Sequence, residues 1–103
     1  MMKPGFTLTL TKGPSPGKVF RFDKEIVNIG RTAADNDLIL NNQSISTHHG
    51  RISFVNGGYF LQDSESTNGT IYNGRLLEKN ERVKLEQGSE VCFGSICFKF
   101  DSN

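Results

Sequence analysis

The sequence predicts an all-β sandwich or barrel, and three observations carry that prediction. Apolar and polar residues alternate through much of the chain, helical periodicity is nearly missing, and turn formers recur at close spacing. Phe6-Thr7-Leu8-Thr9-Leu10-Thr11 puts Phe6, Leu8 and Leu10 on one face and three threonines on the other, the pattern of a half-buried strand. Lys12-Gly13-Pro14-Ser15-Pro16-Gly17 breaks it, and Val19-Phe20-Arg21-Phe22 returns. Ile26-Val27-Asn28-Ile29 makes the third strand, ended by Gly30-Arg31. After the loop from Thr32 to Asn36 comes a short strand from Asp37 to Leu40.

The stretch Gln43-Ser44-Ile45-Ser46-Thr47-His48-His49-Gly50-Arg51 opens as a polar loop and closes as a strand, running into Ile52-Ser53-Phe54-Val55. Asn56-Gly57 is a hairpin signal, with Tyr59-Phe60-Leu61-Gln62 as the returning strand. A long polar loop, Asp63 to Gly69, leads to Thr70-Ile71-Tyr72 and a second hairpin signal at Asn73-Gly74. Arg82-Val83-Lys84-Leu85, Glu90-Val91-Cys92-Phe93 and Ile96-Cys97-Phe98-Lys99-Phe100 complete the strands, separated by turns at Glu86-Gln87-Gly88 and Gly94-Ser95.

Bulk properties narrow the function. At 103 residues the chain is one domain with a modest core, placed at 5–101, with residues 1–4 and 102–103 as flexible tails. A net charge of +1 supplies no field to draw in nucleic acid or an acidic membrane. No apolar run approaches the roughly 20 residues that span a bilayer. Two cysteines make no disulfide framework, so the expectation is a reduced intracellular protein, with nucleus or cytoplasm left open. If Gly94-Ser95 is a two-residue turn, Cys92 faces Cys97 across the strands as a closely spaced pair. In a reducing compartment two neighbouring thiols are expected there rather than a disulfide.

Three polar loops carry more chemistry than a turn requires: Gly30-Arg31, Ser44 to His49, and Ser66-Thr67-Asn68-Gly69. Loops at one end of a sandwich can gather. Together they offer the Arg31 guanidinium, hydroxyls from Ser46, Thr47 and Thr67, the Asn68 amide, and backbone N–H groups near the glycines. Such a set of donors with one fixed positive charge suits an anion with several acceptor oxygens, and a phosphomonoester fits best.

The constellation resembles the forkhead-associated (FHA) domain, a phosphothreonine-binding β-sandwich. Gly30-Arg31, Ser46-Thr47-His48-His49 with Gly50 and Ile52, and Ser66-Thr67-Asn68-Gly69-Thr70 followed by Asn73-Gly74 carry the likeness. Gly88-Ser89-Glu90-Val91-Cys92-Phe93-Gly94 fits the family's last hairpin. The resemblance implies a two-sheet β-sandwich of about eleven mostly antiparallel short strands, with the ligand loops at one end. It implies a protein–protein interaction module that binds phosphothreonine segments of partner proteins without catalysis or cofactor. The domain is expected to be a monomer, alone or as a module of a larger protein. By resemblance, Arg31 pairs with the phosphate, Ser46 and Thr47 donate to its oxygens, and Asn68 and Thr67 hold the peptide backbone. Gly30, His49 and Gly69 support the site structurally. This chain has Thr47 where the family often has arginine, and Ser44 where some members use arginine to read the third residue after the phosphothreonine. A buried threonine methyl is worth roughly 0.8 kcal/mol, so phosphothreonine is expected to be favoured over phosphoserine.

Other readings fare worse. Adjacent residues on a strand point to opposite faces, so His48 and His49 there would not converge on a metal, and His48 would face away from the ligand. Ser46, His49 and Asp63 could be drawn as a hydrolase triad, but no nucleophile elbow surrounds the serine. An immunoglobulin-type sandwich would call for the Cys…Trp…Cys pattern, and the chain has no tryptophan.

Overall fold

The computed structural model describes residues 3–102. Strands β1 (Phe6–Lys12), β2 (Val19–Phe22), β3 (Ile26–Gly30), β4 (Leu38–Ile39), β5 (Gly50–Val55) and β6 (Gly58–Asp63) come first. They are followed by β7 (Thr70–Tyr72), β8 (Arg75–Leu76), β9 (Arg82–Lys84), β10 (Glu90–Phe93) and β11 (Ile96–Ser102). One sheet has the order β2-β1-β11-β10-β7-β8 and the other β4-β3-β5-β6-β9. Pairing is antiparallel except between β3 and β4. Two sheets make this a β-sandwich, not a closed barrel.

The alternation read from the sequence decides which faces meet. Phe6, Leu8 and Leu10 of β1 are buried, as are Val27 and Ile29 of β3, Leu61 of β6, Val91 and Phe93 of β10, and Phe98 and Phe100 of β11. Phe6, Tyr59 and Phe100 form an aromatic cluster with ring centroids 5.3–5.7 Å apart, Tyr59 packing edge-on against both phenylalanines. The Tyr59 hydroxyl donates to the carbonyl of Gly5 at 2.7 Å, so the buried phenol keeps a partner. Asn56-Gly57 and Asn73-Gly74 turn with both residues at positive φ, the mirror-image turn that matches strand twist.

The structure departs from the sequence expectations at several places. β8 is a further strand, because the Asn73-Gly74 turn returns Arg75 and Leu76 onto Tyr72 and Ile71. β5 begins at Gly50, so His48 and His49 lie in the preceding loop and not on a strand. β11 runs to Ser102, which pairs with Phe6, one residue into the segment set aside as a tail. The tail expectation for Met1, Met2 and Asn103 lies outside the described residues. Cys92 and Cys97 are joined in a disulfide, correcting the expectation of two thiols. Their register sets both on one face directly opposite each other, with Cα atoms 4.0 Å apart, close enough to bridge.

Candidate functional site

The three polar loops meet at one end of the sandwich. Arg31 follows the last residue of β3, and its backbone N–H donates to the carbonyl of Ser46 at 3.0 Å. One guanidinium nitrogen lies 3.5 Å from the Thr47 hydroxyl. These two contacts tie the first loop to the second. Gly30 is what allows the approach, since a Cβ there would lie 2.0 Å from the Thr47 carbonyl oxygen. The same carbonyl accepts from the Asn36 side chain at 2.8 Å.

Ser46 links the second loop to the third. Its Oγ accepts the Thr67 N–H at 2.9 Å, so its own proton is free to donate elsewhere. Its backbone N–H donates to His49 Nδ1 at 3.0 Å. That bond makes Nδ1 an acceptor and leaves Nε2 as the protonated nitrogen, which donates to the Gly69 carbonyl at 2.8 Å. His49 is fully buried and packs edge-on against Phe93. Burial pushes its pKa below the ordinary value, against weaker opposing effects from the Gly69 carbonyl and the nearby Asp63 charge. A neutral imidazole therefore bridges two loops.

The third loop is pinned from beneath by Asp63. Its buried carboxylate accepts from the Ser66 hydroxyl at 2.6 Å, the Thr70 hydroxyl at 2.7 Å and the Ser66 N–H at 3.2 Å. Asn68 then extends outward and donates to the Ser44 carbonyl at 3.0 Å, leaving its amide oxygen and a second N–H uncommitted among the described residues. Asn68-Gly69 is not a third mirror-image hairpin turn, because only Gly69 has positive φ. A Cβ on Gly69 would lie 2.5 Å from a Leu76 methyl.

Arg31, Ser46, Thr47, Thr67 and Asn68 all line one open cleft of about 600 Å³. Gly30, His49 and Gly69 lie behind it as the frame. His48 also lines the cleft, correcting the expectation that it faces away, because in a loop the strand's strict alternation does not apply. The hydrolase triad is not assembled. His49 meets the backbone of Ser46 instead of its hydroxyl, and Asp63 is engaged by Ser66 and Thr70.

Sequence reasoning missed four contributors. Asn36 locks the Thr47 carbonyl, and Glu65 sits on the cleft with φ of 57°. The Gly94-Ser95 turn wedges against the second and third loops: Gly94 N–H donates to the Gly69 carbonyl at 3.1 Å and Ser95 N–H to the Ser44 hydroxyl at 3.0 Å. A Cβ at Gly94 would lie 2.4 Å from the Ser44 carbonyl oxygen. The glycine in that turn was the available signal, but nothing local says which loop it meets.

A family model, the FHA domain, matches residues 27–94, a span that includes all three loops. The chain belongs to the FHA domain family. FHA domain-containing protein At4g14490 of Arabidopsis thaliana is 30% identical over 95 residues, covering 91% of this chain and 25% of that protein. The chain thus spans about a quarter of that relative's length. The solution structure of the FHA domain of an Arabidopsis thaliana hypothetical protein superposes with a TM-score of 0.89 at 27% identity, covering 97% of this chain and 86% of that one. The N-terminal FHA domain of S. cerevisiae Rad53p, solved in complex with a phosphothreonine peptide, gives a TM-score of 0.84 at 27% identity. It covers 95% of this chain and 93% of that one.

Proposed function

We propose that this FHA domain docks phosphothreonine-containing segments of partner proteins in the cleft between its three loops. The observation that carries the reading is the convergence there of Arg31, Ser46, Thr47, Thr67 and Asn68. Arg31 supplies the fixed charge for the phosphate, and the uncommitted Ser46 proton and the Thr47 hydroxyl donate to its oxygens. Thr67 and the free amide groups of Asn68 hold the peptide backbone on either side. Gly30, His49 and Gly69 keep the loops in place. The complex of the Rad53p domain with a phosphothreonine peptide supports the same class of ligand. The domain performs no chemistry on the peptide and needs no cofactor. It serves as a docking module for segments that a threonine kinase has marked.

An oriented phosphothreonine peptide library, with its phosphoserine and unphosphorylated counterparts, tests this against the wild type and Arg31→Ala. The wild type should retain phosphothreonine peptides over both counterparts, and Arg31→Ala should retain far less of them. Equal retention by the two proteins, or none by either, overturns the proposal.

A further inference from the structure

The cleft carries two fixed charges of opposite sign. Arg31 and Glu65 both line it and both are exposed. Among the described residues neither belongs to an ion pair. With His49 buried and neutral behind the cleft, the fixed charges of its lining cancel. A phosphothreonine brings between one and two negative charges at neutral pH. The bound state would therefore be left with a net negative charge close to a carboxylate that has no partner of its own.

Glu65 is also held in place. Its flanking residue Ser66 is buried and bonded twice to Asp63, and Glu65 itself adopts a left-handed backbone with φ of 57°. A non-glycine residue takes that conformation at a cost, and among the described residues the carboxylate makes no ion pair or hydrogen bond that would offset it. Its neighbours two and three residues on, Thr67 and Asn68, are those assigned to the peptide backbone. The carboxylate is thus presented to peptide residues adjoining the phosphothreonine.

We infer that Glu65 is a specificity-determining residue that selects a lysine or arginine close in sequence to the phosphothreonine. The inference rests on the phosphothreonine reading above. The peptide's cation would neutralise the carboxylate and offset the phosphate at the same time. An acidic peptide residue in the same place would add to an already uncompensated charge. Rim ion pairs of this kind change affinity modestly and lose strength in salt, so a three- to tenfold preference is expected.

The test uses titration calorimetry with a phosphothreonine peptide of uncharged flanks and a set in which one arginine is walked through the adjoining positions. In the wild type, arginine at one or more positions should raise affinity about three- to tenfold at low salt, and less at high salt. In Glu65→Gln that gain should vanish, and the uncharged peptide should bind more tightly because a repulsion is gone. Glu65→Gly is the second variant. It removes the carboxylate and suits the left-handed backbone, so the loop keeps its shape. No gain at any position, or a gain that survives both substitutions, overturns the inference. Phosphate-dependent binding that ignores arginine refutes this inference alone. An uncharged phosphopeptide that binds no better than its unphosphorylated form refutes the phosphothreonine reading, and this one with it.

Discussion

The Nδ1 atom of His49 accepts the backbone N–H of Ser46 at 3.0 Å, and that bond sets the protonation state on which the site depends. The ring's other nitrogen donates to Gly69, so one buried imidazole holds the second and third loops at a fixed spacing. Protonating Nδ1 would replace an acceptor with a donor facing the Ser46 N–H. It would also charge a fully buried ring.

A pH dependence of stability follows. Burial lowers the His49 pKa in the folded protein below the ordinary value near 6.5, so the unfolded chain takes up the proton more readily. The contribution is complete above about pH 6.5 and is lost progressively as pH falls below it. Asp37 and Glu81 act lower. Partial burial pushes Asp37 up, but the Asn28 N–H and Lys24 outweigh it, while Arg75 chiefly holds Glu81 down to about 2. Both contributions are present above the ordinary carboxylate range near 4 and are lost below it. Thermal melts between pH 7.5 and 5 should therefore show a loss beginning near 6.5 that persists in His48→Ala. A flat profile through that window contradicts the role given to His49.

Arg31 and Ser46 should separate affinity from stability in different ways. Arg31 is exposed, and among the described residues its side chain hydrogen-bonds only to Thr47, so Arg31→Ala should leave unfolding free energy within about 0.5 kcal/mol. Phosphopeptide affinity should fall by about ten- to a hundredfold, the worth of a charged hydrogen bond, with partial recovery in Arg31→Lys. Ser46→Ala also orphans the Thr67 N–H, so it should lower stability by about 1 kcal/mol in addition to weakening binding. Calorimetry alongside urea unfolding distinguishes the two patterns, and an Arg31→Ala protein that binds normally refutes the first.

The strands were legible because alternation is local: Phe6, Leu8 and Leu10 declare their face without knowledge of any partner. The Asn56-Gly57 and Asn73-Gly74 turns were legible for the same reason. What escaped were contacts between segments distant in sequence. Nothing near Gly94 announces that Ser44 lies against it, and nothing near Asn36 points to the Thr47 carbonyl. His48 escapes the expectation because β5 opens only at Gly50, and in the loop before it the alternation that would turn the ring away does not apply. Arg31, Ser46, Thr47, Thr67 and Asn68 stand out as a donor set in three polar loops, the family likeness assigns each a role, and the structure puts all five on one cleft.

Gly30 should tolerate nothing larger. Its Cβ would lie 2.0 Å from the Thr47 carbonyl and 2.4 Å from Asn36 Nδ2, and the carbonyl is backbone, so relief requires moving the loop. Gly30→Ala should cost at least about 1–3 kcal/mol, the usual range for overpacking, and should weaken phosphopeptide binding through displaced Thr47. Gly17 is the control. Nothing lies within 4 Å of a Cβ there, although its φ of 95° adds a backbone cost, so Gly17→Ala should lower stability without touching affinity. Gly30→Ala with unchanged affinity would show that the first two loops are not coupled through this contact.

The Cys92–Cys97 disulfide should be a modest stabiliser that leaves the cleft alone. Only five positions separate the two cysteines, and closing so short a loop removes little entropy from the unfolded chain, about 2 kcal/mol on the chain-entropy account. The hairpin has other supports. Phe93 and Phe98 are buried on its inner face, and the Gly94 N–H reaches Gly69 through the backbone. Purified protein should resist alkylation until reductant is added. The reduced form should stay folded, lose up to about 2 kcal/mol in urea unfolding, and bind phosphopeptide within about twofold of the oxidised form. Prompt alkylation of the native protein without reductant would show that two thiols stand there after all. A large loss of affinity on reduction would show that the disulfide, and not the strand register, holds the Gly94-Ser95 turn against the site.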